Sequence, residues 1–437
     1  MEYRTVKNII PNDIENGVIL SINTNSVTQY THGFHKYPAK FIPQIPRWAI
    51  NKYLTNKQDN LILDPFCGSG TTLVESTLSG NFSVGIDIDP LSAMISKVKT
   101  TRINELELQK IIEWLKNNLN KPQKKLFTPD CKTLNHWFTD DAISKLSTIR
   151  TLINSIPELF GKEQKINDIQ DLLIICFSSV IRRVSNADDE SQKTYVSHTK
   201  IKQPEEVYLT FLSQLDYFVK RIIDFSNYPN LKTANTLILS SSETISETFN
   251  GQKIDLAITS PPYIKAIDYV YNQMVELFWI GDLFQMQTQE QQNKKKKLYI
   301  GNKQIPVTEF RNYSPNTANL GIEALDNKLQ QVFDSDKKNG RKHAYITYKY
   351  FMEMNKHFQS ISECMKKKAH YIMVVGDSDV SNIHFDTADF LSIIAERNGF
   401  KLINKWGYKI KNRFMRFDRK GRGGIIDIDW VLDFVKC

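Results

Sequence analysis

Two short segments of this 437-residue chain hold residue types whose order suits chemistry. One is Thr259-Ser260-Pro261-Pro262-Tyr263, directly after the apolar run Ile254-Asp255-Leu256-Ala257-Ile258. A Pro-Pro pair after a strand is, in its plainest reading, a rigid turn, because proline fixes φ. This turn also presents the Ser260 hydroxyl, the Pro261 carbonyl and the Tyr263 ring. The exocyclic amine of a nucleobase is a poor nucleophile, since its lone pair is delocalised into the ring. Two rigid acceptors aimed at its N–H groups, Ser260 Oγ and the Pro261 carbonyl, favour a pyramidal nitrogen with its lone pair free to attack. Pro262 adds rigidity, and Tyr263 offers a face on which an extruded base stacks.

The other segment is Asp64-Pro65-Phe66-Cys67-Gly68-Ser69-Gly70-Thr71-Thr72, placed where a strand turns into a helix. Gly68 and Gly70 let the backbone pass close to a ligand and adopt positive φ. A phosphate-binding loop needs Gly-Lys-Ser/Thr at its end, and here Thr71 and Thr72 follow Gly70. A dinucleotide fingerprint needs a third glycine where Leu73 stands. An acidic residue at the strand end suits a cationic ligand, and S-adenosylmethionine carries an ammonium and a sulfonium. Asp87, closing the next strand, is placed for two ribose hydroxyls; its plainer reading is a helix N-cap. Methylation at cytosine C5 calls for a cysteine nucleophile in a Pro-Cys context, and the chain has no Pro-Cys. The donor is already activated by its sulfonium, so orientation and hydrogen bonding supply the catalysis, with no metal.

The elements that must position these residues follow from periodicity. Leu61–Leu63, a helix from about Thr71 to Ser79 and the strand Phe82–Ile86 form a β-loop-α-β unit, the opening of a doubly wound parallel sheet. From 103 to 230 the apolar spacing is helical, as in ELELQKIIEWLKNNL and IQDLLIICFSSVIRRV. Strands return at 231–241 and 253–263. The polar stretch 285–342 contains the run Lys294–Lys297 and reads as an exposed, loop-rich second insertion. A helix at about Tyr345–Lys366, the strand 370–378 and a helix at about Thr387–Asn398 resume the alternation. The expected organisation is 1–102 and 231–284 as catalytic core, 103–230 and 285–342 as inserts, and 343–437 as the C-terminal part of the core.

At these residues the chain resembles the DNA amino-methyltransferases. FHKYPAKFIPQIP (34–46), DPFCGSGTT, GIDIDP and TSPPY look like their motifs X, I, II and IV, in the α order. The resemblance implies an α/β class I S-adenosylmethionine-dependent methyltransferase with a Rossmann-like sheet, acting on double-stranded DNA by base flipping. It implies that Asp64, Phe66, Gly68 and Gly70, with Thr71 in the same loop, hold the methionine portion. Asp87 takes the ribose, Ala39-Lys40-Phe41 closes over the methionine end, and Ser241 or Ser242 stands where an acidic residue near the adenine is usual. S-P-P-Y is similar to the N4-cytosine branch, where N6-adenine enzymes carry D-P-P-Y or N-P-P-Y/F. The implied role is modification in a restriction system with a cognate endonuclease. A DNA adenine-N6 enzyme and an RNA guanine-N2 enzyme are the alternatives.

Composition sets the background. Lys and Arg exceed Asp and Glu by 57 to 48, a formal charge of +9 that favours a polyanionic partner. Five scattered cysteines give neither a disulfide framework nor a zinc site, which fits a reduced, cytoplasmic setting. No signal peptide or membrane-spanning run is read. Three stretches hold cations for DNA: the loop Arg182–Lys202 within the helical insert, which is favoured, the insert 285–342, and Lys401–Arg422 with Arg413, Arg416, Arg419, Lys420 and Arg422. His32, His35 and His343 read as ordinary hydrogen-bonded imidazoles.

Overall fold

A computed structural model describes the chain except residues 1–3, 24–26, 39, 55–57, 190–193, 239–244, 250, 265–267 and 411–426. Its strands are β1 (Arg4–Lys7), β2 (Ile19–Asn23), β3 (Leu61–Asp64), β4 (Phe82–Asp87), β5 (Ala234–Ile238) and β6 (Ile254–Thr259). They continue with β7 (Met365–Gly376), β8 (Ser378–Val380), β9 (Ile383–Phe385), β10 (Phe400–Lys409) and β11 (Ile428–Lys436). Nine of them form one sheet in the order β1-β2-β10-β11-β7-β6-β3-β4-β5. From β7 through β5 every neighbouring pair is parallel, whereas β11 lies antiparallel between β7 and β10. The fold is an open, doubly wound α/β sheet with one antiparallel strand inserted near one side. The chain leaves β3 toward β4 and β5, then returns to lay β6 on the other side of β3. That reversal makes the carboxyl ends of β3 and β6 the switch point where ligands of open α/β sheets bind.

The central strands are buried on both faces and read as nearly continuous apolar runs, as in Leu61-Ile62-Leu63 and Leu256-Ala257-Ile258. Their side chains alternate between two cores. Leu63 and Ala257 join the cluster of Phe351, Phe358 and Leu391, and Ile62, Leu256 and Ile258 join Ile45, Trp48 and Trp406.

Between β4 and β5 the chain is helical. After Pro90–Thr100 come Glu105–Asn118, Asp140–Phe160, Gln164–Ile181 and Val207–Ser226. These helices bury their own apolar cluster, in which Phe34 stacks on Phe218 at 4.0 Å between ring centres.

Before Leu61, β1 and β2 extend the sheet, β2 pairing parallel to β10. One expectation needs correction. The segment 285–342 is not simply an exposed, loop-rich stretch. It holds the helices Gln289–Lys296, Val307–Phe310 and Glu323–Ser335, and it buries Tyr313, Ile322, Leu325, Leu329 and Val332. Leu325, Leu329 and Val332 recur at helical spacing, a narrow apolar stripe that the average polarity of the stretch conceals. Among the described residues no helix is long and apolar enough to cross a membrane.

Candidate active site

The loops after β3 and β6 meet over the switch point and wall a cavity. Its lining brings together Lys40, Phe41, Phe66, Gly68, Thr71, Asp87, Ser260 and Pro262. Asp64, Gly70, Pro261 and Tyr263 are not part of that lining. Ala39 and Ser241, with Ser242, lie outside the described residues.

The glycine loop is built for close approach. Gly68 has φ +48°, and a Cβ there would lie 3.0 Å from the Tyr37 ring. Gly70 has φ +76°, and a Cβ would meet Ser96 Oγ at 2.8 Å. Only glycine satisfies both the left-handed backbone and the contact. The loop is held from below by the helix Pro90–Thr100: Ser96 Oγ donates to the Gly68 carbonyl at 2.6 Å, and Lys99 Nζ donates to the Ser69 carbonyl at 2.8 Å. Lys99 is fully buried, and burial drives its ammonium far below the usual lysine range.

Asp87 accepts from the Gly68 N–H and the Asp89 N–H, each at 2.8 Å, through different oxygens. Burial, then the neighbouring Asp89 carboxylate, pushes its pKa up to about 7. The helix that follows is capped by Asp89, which accepts from Leu91 N and Ser92 N, so Asp87 is not the cap. Asp64 joins the two motif strands instead of lining the cavity. Thr259 Oγ1 donates to its Oδ1 at 2.6 Å, the Phe66 N–H donates to the same oxygen at 3.2 Å, and burial raises its pKa to about 6. Its Oδ2 is buried without a partner of hydrogen-bond geometry among the described residues.

Tyr263 is pinned by its hydroxyl, which donates to Asp429 Oδ1 at 2.7 Å. Tyr408 donates to the other oxygen of Asp429 at 3.0 Å. Burial raises the pKa of that carboxyl, and the two hydroxyls pull it back. Three tyrosines stack beside the cavity: Tyr37 on Tyr269 at 5.6 Å and Tyr269 on Tyr299 at 6.3 Å. The sequence reading missed Asp429, Tyr408, Ser96, Lys99 and this stack. Apart from Tyr37, which sits in the 34–46 motif, each lies in an element with no motif of its own, and only the fold brings it to the loops.

The family model described as DNA methylase matches residues 11–98, the stretch that holds the glycine loop and Asp87. With the type II methyltransferases to which the chain is similar, this match supports the DNA amino-methyltransferase family. The chain is 26% identical to the type II methyltransferase M.MvaI of Kocuria varians, over 90% of this chain and 87% of that protein. M.BsoBI of Geobacillus stearothermophilus, also a type II methyltransferase, is 24% identical over 91% of this chain and 83% of its own length. The type II methyltransferase M.MjaII of Methanocaldococcus jannaschii is 24% identical over 70% and 74%.

The methyl donor of this family and fold is S-adenosylmethionine, and the residues present fit it. The left-handed Gly68 and Gly70 backbone, with no Cβ to fill the space, lets a ligand come close against the loop. Asp87 keeps lone pairs for hydroxyl donors, since each of its oxygens takes one backbone N–H.

The cations expected to read DNA in the helical insert are largely engaged elsewhere. Arg182 donates twice to the Asp188 carbonyl, Arg183 forms a bidentate pair with Glu205, and Lys202 pairs with Asp189. Lys193 and the cations at 413–422 lie outside the described residues. His32 binds Glu75, His35 binds Ser178 and His343 binds Ser381.

Proposed function

We propose that this DNA amino-methyltransferase transfers the methyl group of S-adenosylmethionine to N4 of cytosine in a specific duplex sequence. We further propose that it serves as the modifying partner of a cognate restriction endonuclease. The observation that carries the reading is Ser260 at the end of β6, lining the same cavity as Phe66, Gly68 and Asp87. A base amine brought to Ser260 therefore reaches the space the cofactor occupies. Bound there, the cofactor supplies a methyl group made electrophilic by its sulfonium.

The protein's own residues do the rest. Ser260 Oγ and the Pro261 carbonyl accept the N–H groups of the amine and so free its lone pair, at no reorganisation cost because the prolines fix the turn. The Tyr263 ring, anchored through Asp429, holds the flipped base in plane. Asp87 takes the ribose hydroxyls, and Lys40, whose pKa burial lowers, faces the carboxylate of the methionyl end. Serine ahead of Pro-Pro-Tyr, without a side-chain carboxylate or amide, is what favours cytosine N4 over adenine N6.

The test is incubation with labelled S-adenosylmethionine and duplex DNA or tRNA, followed by nucleoside mass spectrometry. N4-methylcytosine in DNA is expected. N6-methyladenine as the DNA product overturns the base assignment, and label confined to RNA overturns the substrate. Ser260→Ala and Tyr263→Ala should each lose at least a hundredfold in turnover while retaining cofactor affinity.

A further inference from the structure

The helix Gln289–Lys296 begins with a reciprocal cap between Thr288 and Gln291 and ends in three lysines, with Lys297 following. Two of the four are held. Lys294 pairs with Glu290 at 3.0 Å, and Lys296 pairs with Asp268 at 3.1 Å and lies over the Tyr271 ring. Lys295 and Lys297 have no acidic partner among the described residues, and Lys297 is exposed. The chain then runs directly into Leu298, Tyr299 and Ile300, all of which wall the cavity. Consecutive Cα atoms are about 3.8 Å apart, so Lys297 sits one step from the cavity wall. Leu298 is 48% exposed while lining the cavity, so this stretch is its rim.

The same stretch grips the element that follows the Ser-Pro-Pro-Tyr turn. Asp268 caps the short helix Tyr269–Asn272, accepting from Tyr271 N at 3.0 Å. Lys296 holds Asp268 by charge, and Tyr299 stacks on Tyr269. Tyr299 is buried beside Asp89 and Asp87, whose charges help to raise its pKa. One continuous segment therefore offers uncompensated cations to solvent and a ring to the Asp87 end of the cavity.

We propose that residues 289–300 couple the two substrates: Lys295 and Lys297 take DNA phosphates beside the target base, while Tyr299 closes the nucleoside end of the cofactor cavity. The proposal rests on duplex DNA being the substrate. Lysines that neutralise phosphates release counterions, which makes their contribution readable in the salt dependence of binding. A segment ordered by both ligands makes each favour the other, by about tenfold for an ordinary coupling.

The test uses the full-length protein and a duplex oligonucleotide titrated across a salt series. Relative to wild type, Lys295→Ala with Lys297→Ala should make the slope of log affinity against log salt shallower by about two. Its affinity for S-adenosylmethionine without DNA should stay unchanged. Tyr299→Ala should weaken S-adenosylmethionine binding about tenfold without DNA and remove the gain that DNA gives, and Tyr299→Phe, which keeps the ring, should restore both. An unaltered salt slope in the double lysine variant, with wild-type binding intact, overturns the phosphate role. Unaltered cofactor affinity in Tyr299→Ala overturns the closing role. A wild-type protein that binds no duplex DNA overturns the substrate reading itself, a result distinct from either.

Discussion

Asp429 takes two tyrosine hydroxyls at once, and only one of those tyrosines belongs to a recognisable motif. A hydrogen bond to a charged acceptor contributes about 1.5–3 kcal/mol, so the tie fixes the Tyr263 ring more firmly than packing alone. In the proposed mechanism a base stacking on that ring finds it already oriented, which is the positioning that lowers a barrier without new chemistry. Tyr263→Phe keeps the face and removes the tie. It should lower kcat by about tenfold while leaving cofactor affinity intact. Asp429→Ala should lower kcat at least as much, since it also frees Tyr408. The double variant should be no worse than Asp429→Ala alone, because both changes remove the Tyr263–Asp429 bond. Additive losses in single-turnover assays would mean that Asp429 acts on something other than Tyr263. Tyr408→Phe leaves the Tyr263 bond in place and should cost less than either.

The elements show which signals a sequence carries. The helix Thr71–Leu78 and the strand Phe82–Asp87 are legible because loop, apolar run and period coincide. Ser260 and Asp87 are legible because their chemistry is local to a short motif. What decides the Asp64 geometry is Thr259, 195 residues away in sequence, and no local pattern announces such a pair. The helix Glu323–Ser335 was hidden differently, since its polar face outweighs Leu325, Leu329 and Val332 in any average. It packs against the helix Gly340–Cys364 within the core shared by β3 and β7. Leu329 is fully buried, so Leu329→Ala should cost about 2–5 kcal/mol in urea unfolding. A cost under about 0.5 kcal/mol, the range of surface substitutions, would return this stretch to the exposed loop its composition suggests.

For the whole molecule, buried ionisable groups pull stability in opposite directions. Asp64 and Asp87 have pKa values raised by burial, to about 6 and about 7. The folded state holds their protons where the unfolded state has released them. Their contribution is therefore largest at low pH and is lost as pH rises from the ordinary carboxylate range toward 7. His35 and His357 are lowered by burial, to about 4 and about 3, so the folded state keeps them neutral where unfolded histidine charges. Their contribution is present above about 6.5 and is lost as pH falls. The two sets offset each other in the wild-type profile, and single variants separate them. Asp87→Asn should gain thermal stability relative to wild type as pH rises from about 5 to about 8, while its affinity for S-adenosylmethionine falls about tenfold or more. His35→Asn should show the opposite trend, gaining relative to wild type as pH falls from about 7 to about 5. A pH-independent difference for Asp87→Asn in scanning calorimetry would show that Asp87 is not held protonated. Saturating S-adenosylmethionine should then raise the wild-type melting temperature more than that of the variant, because a ligand bound only to the folded state stabilises by its affinity. The carboxylate that costs the protein stability at pH 8 is thus the group proposed to hold the ribose of its cofactor.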